Sequence, residues 1–263
     1  MAVTHNSVNS GTTIALSVSF NVTVAAGSNF AALIGIAWIE NSAGVGDSFV
    51  DLVTFAGQTA TFVQMVSTPS GTSEQYYVTG FTAGVKNCQV IWNSSFTVLG
   101  IVGCEVFNNV SQTTPIGQKN TASGVGLTTT VDVTGTTSGS QVVDDVGVDE
   151  TTGTTLVVGA SQTSRWNTRI TAGTDGFRGA GSNEPSSGGT ITMSWTRAVS
   201  KNWATAACEV LEFVAPPPVT VSLGGYTSYD LGLFDAGSPE NPVPPEVAAR
   251  IARGDKRFMP QGG

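Results

Sequence analysis

The sequence predicts an all-β fold, an antiparallel β-sandwich of the jelly-roll kind, followed by an extended C-terminal arm. Apolar and polar residues alternate across residues 14–24, which is the period of a half-buried strand. Short apolar runs recur about every 8 to 12 residues, and turns rich in Gly, Ser or Asn separate them. No stretch before residue 240 keeps the apolar period of a helix, so we expect a nearly helix-free body.

The composition fits a large sandwich whose surface is solvated by hydroxyl groups more than by charges. Of the 263 residues, 40% are hydrophobic, which is enough to bury a core, and only 11% are charged. The formal net charge is -8 and the cations form no cluster in residues 1–214, so we expect no nucleic-acid partner. The longest apolar run, residues 30–39, is about half a membrane span, so we expect no membrane partner. The N-terminus lacks the basic and apolar regions of a secretory signal.

The first half of the body is predicted to be built on a central strand. Residues 30–39 are apolar on both faces, which is typical of a strand covered on each side. Ala56 and Gly57 are predicted to form the tight turn of a hairpin. The polar residues 108–126 are predicted to cross between sheets. The other predicted strands of this half are residues 51–55, 58–66, 74–78, 85–92 and 96–107.

The second half is predicted to repeat the first. The stretch FTVLGIVGCEVF, residues 96–107, is echoed by WATAACEVLEF, residues 203–213, and a strand ending in Trp92 or Trp195 lies upstream of each. We therefore expect the echoed stretches to close the two halves of one β-rich body. Residues 154–162, TTLVVGASQ, resemble residues 30–39 and are predicted to be the buried centre of the second half. The remaining predicted strands are residues 127–133, 141–148 and 190–195.

The cysteines and the histidine do not suggest a catalytic or metal site. Cys88, Cys104 and Cys208 are odd in number, have no CxxC spacing and lie in apolar strand patterns, so we expect free, buried thiols. The single histidine, His5, lies in a polar terminus without a defined neighbour. Because a nucleophilic serine needs a positioned base, we expect no catalytic triad. The sequence predicts no catalytic residue, no cofactor and no metal.

The acidic residues leave more than one interpretation open. Asp144, Asp145, Asp149 and Glu150 could collect a cation, but their spacing matches no calcium loop and a solvated turn is favoured. Glu105 and Glu209 follow the echoed cysteines, so they could form a carboxylate pair on one sheet face, as glycoside hydrolysis requires. A structural hydrogen-bonding role for both glutamates is favoured.

The C-terminal residues 215–263 differ in composition from residues 1–214 and are predicted to form an arm. Eight of the eleven prolines lie here, and the first three, at 216–218, are expected to project an extended chain. A short helix is predicted at residues 245–253, too short to be stable alone in water, so an ordered arm must dock on another surface. The predicted partner-binding residues are Tyr226, Tyr229, Leu231, Leu233, Phe234, Val247, Ile251 and Phe258.

Three motifs resemble a family of jelly-roll or β-sandwich proteins found among phage structural proteins and bacterial surface proteins. They are VTFAG at residues 53–57, FNNVSQTTPIG at residues 107–117 and MSWT at residues 193–196. The likeness covers about residues 12–213, with Ala56 in place of a glycine. It implies a sandwich fold, and it implies no catalytic residues.

The resemblance and the arm together predict a non-enzymatic structural virion protein of a bacteriophage. The predicted role is capsid decoration or cement, or a similar accessory, in which the arm contacts neighbouring subunits. Expected partners are other virion proteins, of capsid or tail, and further copies of this chain; the expected location is the virion, assembled in the host cytoplasm. The alternative is a carbohydrate-binding or host-adhesion module that stacks a surface glycan on aromatic residues such as Trp166 and Tyr76. A glycan-active enzyme is the third interpretation.

Overall fold

The computed structural model describes residues 1–40, 49–150, 153–173, 175–215, 219–221 and 229–231. The chain divides into two compact units, Met1–Val214, called the body here, and Ala215–Gly263, the arm. The described residues are all-β and antiparallel, which confirms the predicted β-sandwich. The helix predicted at residues 245–253 lies outside the described residues. Nowhere in these ranges is there a helix long and apolar enough to cross a membrane.

The strands follow one another in short steps, as expected of antiparallel sheets. In the body they are β1 (Thr4–Ile14), β2 (Ser17–Val24), β3 (Ala31–Glu40), β4 (Phe49–Phe55), β5 (Gln58–Thr59), β6 (Thr61–Thr68), β7 (Gly71–Thr79), β8 (Gly84–Asn93), β9 (Val98–Asn108), β10 (Ile116–Thr136), β11 (Gln141–Asp149), β12 (Val157–Val158), β13 (Thr163–Ala172), β14 (Asp175–Pro185) and β15 (Gly189–Val210). In the arm they are β16 (Val219–Val221) and β17 (Tyr229–Leu231).

The body consists of four stacked layers. The first outer sheet has the order β2-β8-β4-β5, and the first inner sheet has the order β1-β9-β3-β7-β6. The remaining strands form one hydrogen-bonded sheet with the order β10-β15-β11-β14-β13. Its long strands β10 and β15 pair on both sides of a register change between Gly126 and Thr128, where the ladder skips residues 197–200 of β15. There the ribbon folds over, so residues 128–136 and 189–196, with β12, form a second outer sheet on the second inner sheet.

The two halves of the body have the same topology. The register change divides β10 and β15 into two parts each: β1 and β2 correspond to the first and second parts of β10, and β8 and β9 correspond to the first and second parts of β15. The other strands correspond in chain order, β3 to β11, β4 to β12, β6 to β13 and β7 to β14. The inner sheets stack face to face with β1 on β13 and β6 on β10. This opposite order places a pseudo-two-fold axis parallel to the strands. Each inner sheet is therefore covered on one face by its own outer sheet and on the other by the second half.

The core lies in three interfaces between these layers. One apolar cluster fills the space between the first outer and first inner sheets and includes Trp38, Phe55 and Trp92. Two clusters lie between the inner sheets, around Phe107 and around Phe177. Two more lie within the second sandwich, around Met193 and around Trp195.

The sequence predictions for the centre of the second half and for the length of the crossover are wrong, and one turn is confirmed. The centre of the second half is β11, whereas residues 154–162 contain only the two-residue β12. A strand was predicted at residues 141–148, but Asp144 and Asp145 interrupt its apolar run, so the sequence did not identify it as the buried centre. The predicted crossover at residues 108–126 is shorter, because β10 begins at Ile116 as a mostly exposed edge strand that reads as polar. Ala56 and Gly57 have φ of 54° and 77°, which confirms the predicted tight turn.

Candidate functional site

Glu105 lies between the two inner sheets beside Trp166. Glu105 is 2% exposed. The Trp166 indole packs directly on the backbone of Gly103 and Gly181, so a Cβ atom at either glycine would overlap the indole. Burial raises the pKa of Glu105 to about 8, although the Arg165 charge and a hydrogen bond with Trp166 lower it. Glu105 is therefore an interior, mostly protonated carboxyl group at neutral pH.

Glu209 lies on the opposite side of the second inner sheet. Its carboxylate accepts hydrogen bonds from Ser140 Oγ at 2.8 Å and from the backbone nitrogens of Gln118 at 3.0 Å and Thr137 at 2.5 Å. The neighbouring residue Cys208 packs instead against the first half. Glu105 and Glu209 thus belong to different sheets and point into different interfaces, so the predicted carboxylate pair on one face is wrong.

The alignment of the two Cys-Glu motifs by sequence differs by one residue from the alignment of the two halves by structure. Edge-strand bulges occur at the same place in both halves, between Phe62 and Gln64 and between Ser164 and Trp166. Counted along the ladders from these bulges, the counterpart of Glu105 is Cys208. Because side chains alternate between faces, a shift of one residue sends the two glutamates to opposite faces.

Three of the four predicted acidic residues are buried and Asp149 is half-buried at the end of β11, so the predicted solvated turn is wrong. Asp144 and Asp145 are each 1% exposed. Asp144 accepts from Ser182 Oγ at 2.6 Å, from Ser182 N at 2.9 Å and from Trp195 Nε1 at 2.8 Å, and burial raises its pKa to about 7. Asp145 points to the other face, where Ser73 Oγ donates to it and burial raises its pKa well above the usual range.

The last acid of this group, Glu150, is also buried and stabilises the chain that follows β11. Its carboxylate accepts from the backbone nitrogens of Gly153 at 2.8 Å and Thr154 at 3.2 Å. Among the described residues, no group of three or more His, Cys, Asp or Glu side chains is placed to hold a metal ion.

Glutamine side chains connect the two inner sheets. Gln64 Nε2 donates to Gln75 Oε1 and to the carbonyl of Ala207, both at 2.8 Å. Gln75 Nε2 in turn donates to the carbonyl of Ala206 at 3.2 Å. Buried polar groups paired in this way specify one alignment of the halves, since any shift would leave them unsatisfied.

The thiols are structural and His5 has a defined packing neighbour. Cys88, Cys104 and Cys208 are free and completely buried, as predicted. His5 lies in β1, edge-on to Phe107 with ring centroids 5.6 Å apart, rather than in a terminus without neighbours. Burial lowers the pKa of His5 to about 4, so its ring is neutral at physiological pH.

Trp166 does not form an exposed platform for sugars. All five tryptophans are at most 8% exposed, including Trp166 at 6%. The exposed large hydrophobic side chains of the described residues are instead aliphatic, Phe or Met, and they include Phe62 and Met65 on β6.

An open depression of about 300 Å³ in the second half is lined by Gly153, Thr154, Thr155, Val157, Thr196, Arg197 and Ala198. The Arg197 guanidinium there donates to the carbonyls of Gly126 and Lys201, which is a structural role at the bend of the β10–β15 ribbon.

Two of the predicted partner-binding residues lie in a strand of the arm. Tyr229 and Leu231 belong to β17, which pairs with β16 through Val221 and Val219. The other six predicted residues lie outside the described residues: Tyr226, Leu233, Phe234, Val247, Ile251 and Phe258. The arm thus contains a two-stranded ribbon that the sequence did not predict.

No protein-family model, no curated protein and no solved structure matches this chain. Membership of the phage and bacterial surface family stays a prediction.

Proposed function

We propose that this protein is a non-enzymatic structural protein of a bacteriophage virion, a capsid decoration or cement protein or a similar accessory. Its arm binds neighbouring subunits, which are other virion proteins or further copies of the chain. The phage assignment rests on the sequence motifs, and the assembly role rests on the arm.

The observation that carries the assembly role is the two-stranded ribbon β16–β17 in the arm. Only three residues pair on each side, Val219 with Leu231, Thr220 with Asp230 and Val221 with Tyr229. An isolated two-stranded hairpin is marginally stable at best in water, and more so when it is this short. The ribbon therefore needs a further surface, and a neighbouring subunit supplies one.

The body is closed before the arm begins. Phe213 N donates to the carbonyl of Asn109 at 2.7 Å, Leu211 N donates to the carbonyl of Pro115 at 2.9 Å, and Glu212 forms a bridge with Val110. These bonds tie the last residues of the body to the chain that joins its halves. Among the described strands, those of the body pair with one another and the two strands of the arm pair with each other.

Deleting residues 215–263 tests this proposal. We expect the truncated protein to keep its far-UV circular dichroism and its unfolding midpoint, and to lose self-association or binding to particles in sedimentation velocity. A second variant, the full chain with Tyr229→Ser and Leu231→Ser, keeps the length of the arm and should show the same loss of association. Unchanged assembly of the truncated protein would contradict the proposal.

A further inference from the structure

Two exposed apolar side chains and one half-buried tyrosine form a patch on the first half of the body. Phe62 and Tyr76 are paired across β6 and β7 with their rings at 69° and centroids 5.4 Å apart. Met65 is paired with Glu74 on the same face. Phe62 is 53% exposed and Met65 is 52% exposed. The first outer sheet packs on β1, β9, β3 and on Val78 and Tyr76 of β7, whereas Phe62 and Met65 of β6 stay exposed. We call Phe62, Met65 and Tyr76 the β6 patch.

The β6 patch is held rigidly from beneath. Tyr76 OH donates to Glu74 Oε2 at 2.8 Å, and Trp38 Nε1 donates to Glu74 Oε1 at 2.9 Å. Glu74 is 3% exposed, and burial raises its pKa. A preorganised aromatic surface of this kind loses little side-chain entropy on binding.

The second half shows that the fold does not require apolar residues here. By the shared bulges, the counterpart of Phe62 is Ser164 and the counterpart of Met65 is Asn167. Asn167 Nδ2 donates to the carbonyl of Leu156, and its Oδ1 accepts from Arg178 Nη1. The same position is thus polar and hydrogen-bonded in one half and apolar and exposed in the other. The apolar side chains of the β6 patch therefore serve something other than folding.

The backbone beside the patch can accept a strand at one end. Among the described strands, β6 is an edge and pairs only with β7. Near its start, the bulge after Phe62 and a hydrogen bond from Lys119 Nζ to the carbonyl of Val63 block pairing. Beyond Met65 the outer edge has no such block in the described structure, so an extended peptide could add to it while its side chains cover the patch.

We propose that the β6 patch is the docking site for the arm of a second copy of this chain, with residues 226–234 of that copy lying along β6. The inference rests on the proposed function, because it names the surface to which the arm binds. The segment YTSYDLGLF supplies apolar and aromatic side chains at alternating spacing.

Photochemical cross-linking of the full chain tests the contact directly. The benzophenone amino acid p-benzoylphenylalanine replaces Phe62, copies with natural and with heavy isotopes are mixed, and cross-linked peptides are identified by mass spectrometry. We expect cross-links from position 62 to peptides within residues 219–263 that join a light copy to a heavy one. The same probe at Ser164, the counterpart in the second half, should give none. Links only to the body, only within one copy or only to another protein would overturn the proposal.

Substitutions that copy the second half provide the functional test. The double variant Phe62→Ser and Met65→Asn should stay folded, with only the small fall in unfolding midpoint expected from loss of the Phe62–Tyr76 ring contact. It should weaken self-association at least about tenfold, because about 1.4 kcal/mol of lost apolar burial is a factor of ten. The control is Val157→Ser, an exposed apolar residue of β12 in the second outer sheet. If arm deletion abolishes association and the double variant does not, this inference fails and the proposed function stands. If neither change affects association, both fail.

Discussion

Asn9 and Asn120 make the same two hydrogen bonds at equivalent points of the two halves. Asn9 Nδ2 donates to the carbonyl of Asn21 at 2.8 Å, and its Oδ1 accepts from Ser10 N at 2.9 Å. Asn120 Nδ2 donates to the carbonyl of Asp132 at 2.9 Å, and its Oδ1 accepts from the next backbone nitrogen at 2.9 Å. In each half the amide joins an inner-sheet strand to the outer-sheet strand that continues it. The internal repeat therefore extends to individual hydrogen bonds.

Replacing Asn9 or Asn120 by Ala should destabilise the protein by similar amounts. Each change removes one cross-sheet hydrogen bond at an exposed site, so we expect a loss of about 1 kcal/mol in the free energy of unfolding. The two residues share no partner, so the losses in the double variant should add. Urea unfolding monitored by tryptophan fluorescence measures both quantities. A large difference between the single variants would argue against equivalent roles.

Gly103→Ala should be among the most destabilising small substitutions in the body. A Cβ atom at this position overlaps the Trp166 indole, which is buried between the inner sheets and cannot move aside. We expect a loss of about 3 kcal/mol or more, measured by denaturant unfolding. Gly126→Ala is the matched control, since the nearest atom to its Cβ would be 3.8 Å away, and it should be nearly neutral. Equal stability of the two variants would show that the inner sheets are not closely packed at Trp166.

The stability of the wild-type protein should fall as the pH rises from about 5 to 8. The pKa of Glu105 is raised from 4.5 to about 8 in the folded protein, so the folded state holds a proton that the unfolded chain releases. The stability contribution of the protonated group is complete below pH 4.5 and is lost as the pH rises through 8. Glu105→Gln should reduce the slope by up to about 1.4 kcal/mol per pH unit. Urea unfolding at several pH values measures it, with Asp51→Asn at an exposed site as the control. An unchanged slope would show that Glu105 does not titrate in this range.

The three thiols should resist labelling in the folded protein. Cys88, Cys104 and Cys208 have no exposed surface, and burial raises the pKa values of Cys104 and Cys208, so the reactive thiolate is suppressed. We expect no reaction with 5,5′-dithiobis(2-nitrobenzoic acid) over hours at pH 8 and the release of three equivalents in denaturant. Rapid reaction of any thiol without denaturant would indicate local opening of the core.

The sequence echo predicted the internal repeat but not its register. The sequence alignment matches Cys104 with Cys208, whereas the strand pairing makes Glu105 and Cys208 the equivalent residues of the two halves. Chain neighbours alternate between faces, and only pairing with other strands decides which face meets which layer. The β6 patch was missed for a related reason, because its exposure depends on a short outer sheet and on a bulge after Phe62. A comparison of strands 61–68 and 163–172 for apolar against polar residues could have found it once the repeat was aligned.

The sequence alone determined the all-β class, the buried thiols and the turn at Ala56 and Gly57, because strand periodicity, apolar surroundings and turn chemistry are local properties. Tertiary structure decided that Asp144 and Asp145 are buried, since a strand rich in carboxylates is stable inside only where Ser182, Trp195 and Ser73 from other strands donate to them. It also decided that the halves face each other across a pseudo-two-fold axis. That arrangement follows from covering both faces of each inner sheet, which no single stretch of the chain can do by itself.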